Sequence, residues 1–502
     1  MDQHIFRIGN NVSTTAKAES VSFLIDAADY YSELACSIRS ARKQIWIVGW
    51  DFHAHLALTP DQDDPTWLDA LLLAQLEASE ELVIRILVWG VGPVYSGKSL
   101  KIFRRNGLLS HPRVKICFDF KHPFLASHHQ KIVSIDSQIA FMGGIDLTEG
   151  RWDDSRHLAR NPLRVKRDGI QYEPVHDVQV RVTGAAATAV QDVARKRWLR
   201  ATREKVANAA REAGASPPPV SRPADLFDTT IALSLTDPQS KGGKFQSLAL
   251  ALDAIAAAKS HIYIEAQYLA SFRVARALAA RLRSMDAPEI VVIVTRISHG
   301  FIERQIMGRN RTRIIRKLKR QDLYDRLWVM YAVVPDEDSA NSQDILIHSK
   351  LMIVDDMFLR IGSSNLNNRS ERFDTEADLS LVANNASDRK AIAGLRNRLM
   401  AEHLGSSPEV ISATFGQTGS LQAVIRANNN LSRGLRHFDV DLQQGSVSPA
   451  LATPVVDPSE RSLSRSLLQG IWRKTLARGR YVFRFLSRDR NLACRKKEKA
   501  SR

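Results

Sequence analysis

The sequence predicts an α/β fold built from two duplicated halves, with a functional site at the interface between them. The pattern H-x-K-x-x-x-x-D occurs twice, from His129 to Asp136 and again from His348 to Asp355. Strand-like segments around the two copies recur in the same order, at an offset of 217 to 219 residues. A near-constant offset over several elements indicates an internal duplication of α/β units.

The first half alternates between helical and strand-like patterns. Helical apolar spacing predicts helices over residues 22–42 and 68–82. Continuous apolar runs predict buried strands over 45–50, 83–89, 114–118, the motif segment and 140–142. Because such runs, when separated by helices, are typical of parallel strands covered on both faces, we expect a largely parallel sheet.

The second half repeats this order. A helix is predicted over residues 245–260, followed by strands over 262–265, 290–294 and 327–331 and by the second motif. Between the halves, a predicted helix over 185–213 is broken by Gly214 and three consecutive prolines.

These patterns divide the chain into five regions. The predicted regions are a flexible polar arm over 1–20, a first domain over 21–212, a Pro-rich linker over 213–225, a second domain over 226–405, and a weakly ordered region with a basic amphipathic tail over 406–502.

Composition is that of a globular protein, with 44% hydrophobic and 25% charged residues. There is no apolar run of transmembrane length, and the first residues lack the apolar core of a signal peptide, so we do not expect a conventional one. The three cysteines, Cys36, Cys117 and Cys494, are scattered and lack metal-ligand spacing. Residues 461–502 hold 14 Lys and Arg against 2 Asp and Glu, a net +12 of the chain's +17. Most of the positive charge therefore lies in the tail, where it bears on docking more than on the fold.

The His and Lys of each motif point in one direction, because residues i and i+2 of a strand share a face. Two such strands side by side would gather His129, Lys131, His348 and Lys350 around one small volume. That set suits a phosphodiester, since two cations can hold the anion while one imidazole attacks and the other supplies a proton. Neither half alone would form the site.

Four other polar residues accompany the motifs. Asp136 and Asp355 complete the motifs and are candidate site residues, but they lie far along their strands and are better suited to anchoring strand ends. Asp146 and Asn365 each come seventeen residues after a motif histidine, next to a glycine-containing turn. Such a turn lets backbone approach a ligand closely, so both residues are candidates for phosphate binding.

The chain resembles the phospholipase D superfamily, and more narrowly its phosphatidylcholine-cleaving branch. The matching segments are 122–123, 127–131, 143–147, 150–153, 176–177, 265–268, 348–350 and 374–376. The resemblance covers about residues 20 to 405. It implies two phospholipase D-like α/β/α sandwich domains with the active site at their interface, and a reaction through a phosphohistidine without a metal or other cofactor.

The resemblance also implies roles for particular residues. His129 would be the nucleophile and His348 the acid and base, although the symmetry of the motifs leaves this choice open on the residues alone. Lys131, Lys350, Asn365 and Asp146 would bind phosphate. Asp153 and Glu376 would orient the two imidazoles.

We expect a phospholipase D that releases the head group of phosphatidylcholine-type lipids and exchanges it when an alcohol is present. The alternatives are a cardiolipin synthase-like phosphatidyltransferase, a phosphodiesterase acting on nucleic acid, and a catalytically inactive lipid-binding protein. Both motifs are complete, which disfavours the last. We expect a monomer in the cytoplasm or at a membrane surface, with secretion by a specialised route left open.

Basic segments suggest partners. Residues 304–320 and the stretch around Lys98 and Arg105 are predicted basic helices that either face solvent or attract anionic lipid or nucleic acid. In the tail, Trp472 and several leucines recur at helical spacing among arginines. A basic amphipathic helix of this kind can lie in a bilayer interface, so we expect the tail to dock on anionic membranes.

Overall fold

The structure is a computed structural model. It describes residues 5–92, 107–123, 126–208, 220–297, 301–336, 341–445, 448, 449, 453 and 457, with the backbone alone for 301–306.

The two halves contain the same succession of elements. The strands of the first half are β1 (Thr14–Ile25), β2 (Gln44–Gly49), β3 (Val83–Trp89), β4 (Val114–Asp119), β5 (Ile132–Ile135), β6 (Ile139–Gly143), β7 (Val175–His176) and β8 (Val178–Thr183). Those of the second half are β9 (Leu226–Asp237), β10 (Lys244–Phe245), β11 (His261–Ala266), β12 (Glu289–Val294), β13 (Leu327–Pro335), β14 (Ser342–Asp344), β15 (Leu346–Ile347), β16 (Lys350–Val354), β17 (Phe358–Gly362), β18 (Glu376–Val382) and β19 (Gly434–His437).

Helices cover the strands. In chain order they are Asp26–Ile38, Leu68–Ala78, Ala185–Thr202, Gln246–Ala257, Phe272–Leu282, Phe301–Gln321, Asn368–Arg372, Ala386–Leu404, Pro408–Thr418 and Leu421–Asn428. None of the helices in these described ranges combines the length and the apolar character needed to cross a membrane.

Strand pairing runs continuously through both halves, in the order β4-β3-β2-β5-β6-β8-β1 and then β9-β18-β17-β16-β11-β12-β13. On the other side of the β1–β9 pair, the equivalent strands of the second half follow in reverse order. This arrangement confirms the duplication. The expected largely parallel sheet is wrong. Only β2-β3-β4 and β11-β12-β13 are parallel, because the motif strands return by short turns and pair in the antiparallel sense.

The sheets and helices form three apolar layers. One outer layer lies under Asp26–Ile38 and Leu68–Ala78, and the other under Gln246–Ala257 and Phe272–Leu282. The central layer contains residues of both halves and is completed by Ala185–Thr202 and Ala386–Leu404. The halves therefore share a core, and the two motif strands belong to one packed body.

Four element predictions differ from the structure. The helix expected over 185–213 ends at Thr202, where Arg203 adopts the left-handed conformation. Residues 14–20 were expected in a loose arm, but they form part of β1, which pairs with β8 and β9 in the middle of the sheet. The helix expected over 22–42 begins only at Asp26, because β1 continues to Ile25. The expected weak order after residue 405 is wrong for 408–437, which fold into two capped helices and β19, paired with β13. The predicted tail helix lies outside the described residues.

Candidate active site

The two motif histidines lie at short parallel pairings that cross between the halves. The backbone N–H of His348 donates to the carbonyl of His176 at 2.7 Å, beside the β7–β15 pair. The backbone N–H of His129 donates to the carbonyl of Thr375 at 3.0 Å, beside the His128–Thr375 bridge. In each case the next residue along the partner segment is a carboxylate, Asp177 or Glu376.

Each imidazole is held by a carboxylate of the other half. His129 Nδ1 lies 2.9 Å from Glu376 Oε2 and 3.1 Å from the carbonyl of Ser363. His348 Nδ1 lies 2.6 Å from Asp177 Oδ2. A proton on Nδ1, shared with the carboxylate, leaves Nε2 of each ring as the atom that reacts. Both side chains remain partly accessible, 16% for His129 and 7% for His348.

The two lysines have different surroundings. Lys131 Nζ forms an ion pair with Asp146 Oδ2 at 2.8 Å. Lys350 Nζ lies 3.1 Å from His348 Nδ1 and donates to the carbonyl of the same residue. At the position of Asp146 in the repeat, the second half has the neutral Asn365. The site thus combines one neutralised cation with one that has no carboxylate at the equivalent place.

Burial and charge shift the ionisation of the central groups. Burial lowers the pKa of His129 well below its usual value, and the charges of Lys131 and Lys350 lower it further. The pKa of His348 is also well below its usual value, through burial and then the charges of Lys350 and Arg151, with Lys131 and His129 adding to them. These mutual effects place both motifs within one electrostatic site.

Three neighbouring groups are shifted as well. Burial lowers the pKa of Lys350 to about 7, and the charges of Lys131 and Arg151 add to this effect. Burial raises the pKa of Asp177 to about 6, against the opposing charge of Lys350. The pKa of Glu376 is raised well above its usual value, mainly by burial. Burial thus favours the uncharged forms of these three groups, as expected where water is largely excluded.

The motif aspartates stand outside this cluster. Asp136 accepts backbone N–H groups of residues 42, 43 and 44 at 2.7, 2.9 and 2.6 Å. Asp355 accepts those of residues 259, 260 and 261 at 2.8, 2.7 and 2.9 Å. These contacts agree with the strand-anchoring interpretation, and the place of the two aspartates among the catalytic candidates stays a prediction. Each fixes the start of the strand that pairs with its motif strand.

The observed contacts correct the roles predicted for Asp153 and Asp146. Asp153 does not orient a catalytic imidazole. Its carboxylate binds His157 Nδ1 and Arg164 Nη1, both at 2.9 Å, and it accepts the backbone N–H of Val175. Asp146 is a partner of Lys131, and its other oxygen accepts the backbone N–H of Trp50 at 2.9 Å. A carboxylate in this position orients the lysine and would repel a phosphate.

Asn365 follows β17 as Asp146 follows β6, and its Oδ1 is buried without a hydrogen-bond partner among the described residues. Its predicted role in phosphate binding stays a prediction. Asp177 and Arg151 are site residues that are not predicted from the sequence. Both lie in segments used for the resemblance, and the signal for Asp177 was its place just before the apolar strand β8, matching Glu376 at the start of β18.

The predicted basic helix exists as Phe301–Gln321, but part of its charge is used internally. Lys319 Nζ donates to the carbonyl of Phe438 at 3.0 Å, while Arg316 and Arg320 donate to carbonyls of residues 441 and 442. These contacts hold the segment that follows β19. The corresponding basic residues of the first half, Lys98 and Arg105 among them, lie outside the described residues.

Comparison with known proteins agrees with the geometry. Residues 37–221 match the family model described as Phospholipase D, and residues 251–392 match that described as Cardiolipin synthase, PLD-like domain. Paired His–carboxylate units with two lysines, within these domains, define an enzyme that acts on phosphodiesters. The chain belongs to the phospholipase D superfamily.

Several relatives carry the name phospholipase D. The chain is 27% identical over 476 residues to Phospholipase D A of Dictyostelium discoideum, covering 78% of this chain but 36% of that protein. It is 22% identical over 540 residues to Phospholipase D alpha 4 of Arabidopsis thaliana, covering 82% and 67%. The phosphatidylserine synthase structure from Haemophilus influenzae Rd KW20 has the same fold, with a TM-score of 0.52, 12% identity, and coverage of 83% of this chain and 96% of that one.

Proposed function

We propose that this protein is a phospholipase D that hydrolyses phosphatidylcholine-type lipids to phosphatidate and a free head group. The observation that carries the proposal is the pair of cross-half contacts, His129 with Glu376 and His348 with Asp177, around two buried lysines. The names of the relatives support the lipid substrate, although the Dictyostelium protein is much longer than this chain.

In the first step, the Nε2 lone pair of His129 forms a bond to phosphorus while the bond from phosphorus to the head-group oxygen breaks. The proton on Nε2 of His348 moves to the departing oxygen. A bound phosphodiester favours this protonation, because its negative charge offsets the cations that lower the pKa of His348 in the free site. Lys131 and Lys350 stabilise the charge that develops on the phosphoryl oxygens.

In the second step, His348 takes a proton from water as the water oxygen forms a bond to phosphorus. The phosphorus–nitrogen bond breaks and its electron pair returns to His129. An alcohol in place of water gives a new phosphodiester, which is head-group exchange.

The second candidate is a phosphatidyltransferase. The specific observation in its favour is that the family model matching residues 251–392 is described as Cardiolipin synthase, PLD-like domain. The histidine chemistry would be the same in both reactions. Only the acceptor differs, so product analysis separates the two candidates.

The decisive experiment uses His129→Ala and His348→Ala in the full chain. We expect each change to reduce choline release from phosphatidylcholine vesicles by at least roughly a thousandfold, because each removes a group required for bond breaking. His261→Ala is the matched control, since this buried histidine contacts Asp356 instead of the site. Full activity in either motif variant would refute the shared site.

Product analysis decides the reaction. Mass spectrometry of products from mixed phospholipids, with and without glycerol, distinguishes phosphatidate from exchanged lipid. A single-stranded oligonucleotide serves as competitor. Cleavage of the oligonucleotide with no lipid turnover would instead support a nuclease.

We further propose that the basic tail, residues 461–502, docks the enzyme on anionic membranes. Its net charge of +12 and its amphipathic spacing support this proposal. The truncation should end at residue 460, because Asp457 is buried and accepts the backbone N–H of Arg369 at 2.9 Å. We expect the truncated chain to lose co-sedimentation with anionic vesicles. Undiminished binding would reject the tail as the anchor.

A further inference from the structure

A buried cluster of two imidazoles and two carboxylates lies behind the active site, on the side of His348. Its members are Asp26, His157, His176 and Glu402. The first three belong to the first half, and Glu402 comes from the helix Ala386–Leu404 of the second. The side chains of the first three are at most 1% exposed and that of Glu402 is 6% exposed. The mechanism proposed above assigns no chemistry to this cluster.

Each of the four residues offers one donor atom, and these atoms all lie within 4.8 Å of one another. His157 Nε2 lies 3.3 Å from Asp26 Oδ2 and 3.0 Å from Glu402 Oε1. His176 Nδ1 lies 3.1 Å from Asp26 Oδ1 and 2.7 Å from Glu402 Oε1. Donors around a tetrahedral Zn²⁺ are separated by roughly 3.4 Å, given metal–ligand distances of about 2.0–2.2 Å. The four separations, 2.7 to 3.3 Å, are shorter than this by up to about 0.7 Å, so the donors would move apart slightly on binding an ion.

Two of these atoms lack a hydrogen-bond partner. His176 Nδ1 and Asp26 Oδ2 are both buried, and neither makes a hydrogen bond of acceptable geometry within the described residues. For His176 this holds although two carboxylate oxygens lie within 3.1 Å. The nitrogen thus has two carboxylate oxygens close by and a hydrogen bond to neither, so it is available to an ion. Orphaned buried polar atoms of this kind call for an explanation, and an ion supplies one.

The far nitrogen of each imidazole is bound to a further carboxylate. His157 Nδ1 lies 2.9 Å from Asp153 Oδ2, and His176 Nε2 lies 2.9 Å from Glu265 Oε2. Metal-binding histidines usually make this contact through the nitrogen that does not bind the metal, which fixes the tautomer and the ring orientation. Both histidines of the cluster share this arrangement.

We propose that Asp26, His157, His176 and Glu402 bind one Zn²⁺ ion that ties the two halves together. Two imidazoles and two carboxylates suit a first-row divalent metal, and four protein ligands without an open position define a structural site. The ion would also position His348, whose backbone N–H donates to the carbonyl of His176. No local spacing marks these ligands in the sequence, because they are spread from residue 26 to residue 402.

The experiment measures metal in the full chain, purified with a tag that contains no histidine. We expect close to one equivalent of zinc by inductively coupled plasma mass spectrometry. After removal of zinc by a chelator, added Co²⁺ should give the visible absorption of a tetrahedral site. A wild-type chain that holds no zinc and takes up neither Zn²⁺ nor Co²⁺ would overturn the proposal, and would leave protonated imidazoles to balance the carboxylates.

Variants locate the ion. Glu402→Gln and His157→Gln should lower the zinc content at least roughly tenfold, and Glu265→Gln should lower the affinity roughly 10- to 100-fold through the orientation of His176. His261→Gln is the matched control, a buried histidine with a carboxylate partner outside the cluster. Unchanged zinc in both ligand variants would overturn the assignment. Because wild-type metal content is measured directly, a variant that fails to fold does not prevent the test.

Discussion

At the scale of single residues, the active site is symmetric in its histidines and asymmetric in what surrounds them. His129 contacts a glutamate and His348 an aspartate, each from the other half. The lysines differ more, because Asp146 pairs with Lys131 whereas Asn365 occupies the equivalent place in the second half. This asymmetry gives two chemically similar imidazoles different environments, which a mechanism with one nucleophile and one acid requires.

The first prediction concerns the carboxylate that orients His348. Asp177→Asn should lower kcat roughly 10²- to 10⁴-fold, because an amide no longer fixes the proton on Nδ1 of His348. Steady-state hydrolysis of a short-chain phosphatidylcholine measures the effect. Asp356→Asn is the matched control, since Asp356 pairs with His261 and Arg396 away from the site. A normal kcat in Asp177→Asn would exclude Asp177 as the positioning residue.

The second prediction is a basic limb in the pH profile. Lys350 has a pKa of about 7 in the free site, so its charge is present below pH 7 and is lost as the pH rises. We expect kcat/KM to fall about tenfold per pH unit above this pKa, because the phosphate loses a cation. The corresponding fall in kcat should begin at higher pH, because a bound phosphate stabilises the charged form of Lys350. A kcat/KM that stays constant to about pH 9, in protein shown to be folded by circular dichroism, would contradict this.

At the scale of elements, each motif strand is fixed at both ends. One end is pinned by pairing across the halves, and the other by a turn in which Asp136 and Ser137, or Asp355 and Asp356, have positive φ. The identical turn in both halves shows that the aspartate of the motif belongs to the strand end. Three N–H groups converge on each carboxylate, which places strands β2 and β11 in register with their motif strands.

The third prediction tests this role. Asp136→Ala should lower the free energy of unfolding by about 2–4 kcal/mol, since it removes charge-assisted hydrogen bonds and puts alanine at φ 52°. Asp136→Asn should cost less, because asparagine tolerates this backbone conformation and keeps one acceptor oxygen. Urea unfolding measures both. A kcat lost in the alanine variant while its stability stays unchanged would assign Asp136 to catalysis instead.

Much of this layout could be predicted from the sequence, because the repeated motif and the offset define which strands are equivalent. Whether neighbouring strands run parallel or antiparallel could not be predicted, since an apolar run such as 45–50 is buried on both faces in either type of sheet. The choice of Asp153 over Asp177 failed for another reason. Both carboxylates follow the first motif, and only the pairing of β7 with β15 brings Asp177 to His348. A contact made across 171 residues leaves no local spacing to recognise.

At the scale of the whole molecule, the two halves act as one body. β1 of the first half pairs with β9 of the second through seven registered residue pairs. The central apolar layer mixes side chains from both halves, among them Val180, Leu351 and Leu379. The active site lies across the same boundary, because each catalytic imidazole takes its orienting carboxylate from the other half. The site is therefore complete only when the two halves are packed together.

The last prediction follows from this shared core. A protease recognition sequence inserted after residue 214, within a segment outside the described residues, allows the chain to be cut between its halves. We expect the two fragments to co-elute in gel filtration and to keep most of the activity, because the β1–β9 pairing and the central layer do not depend on that peptide bond. The uncut chain with the same insertion is the control. Fragments that separate, or activity that disappears when the chain is cut, would show that the connection itself is needed. Retained activity would in turn report intact cross-half contacts, since a separated half lacks the carboxylate that holds its own histidine.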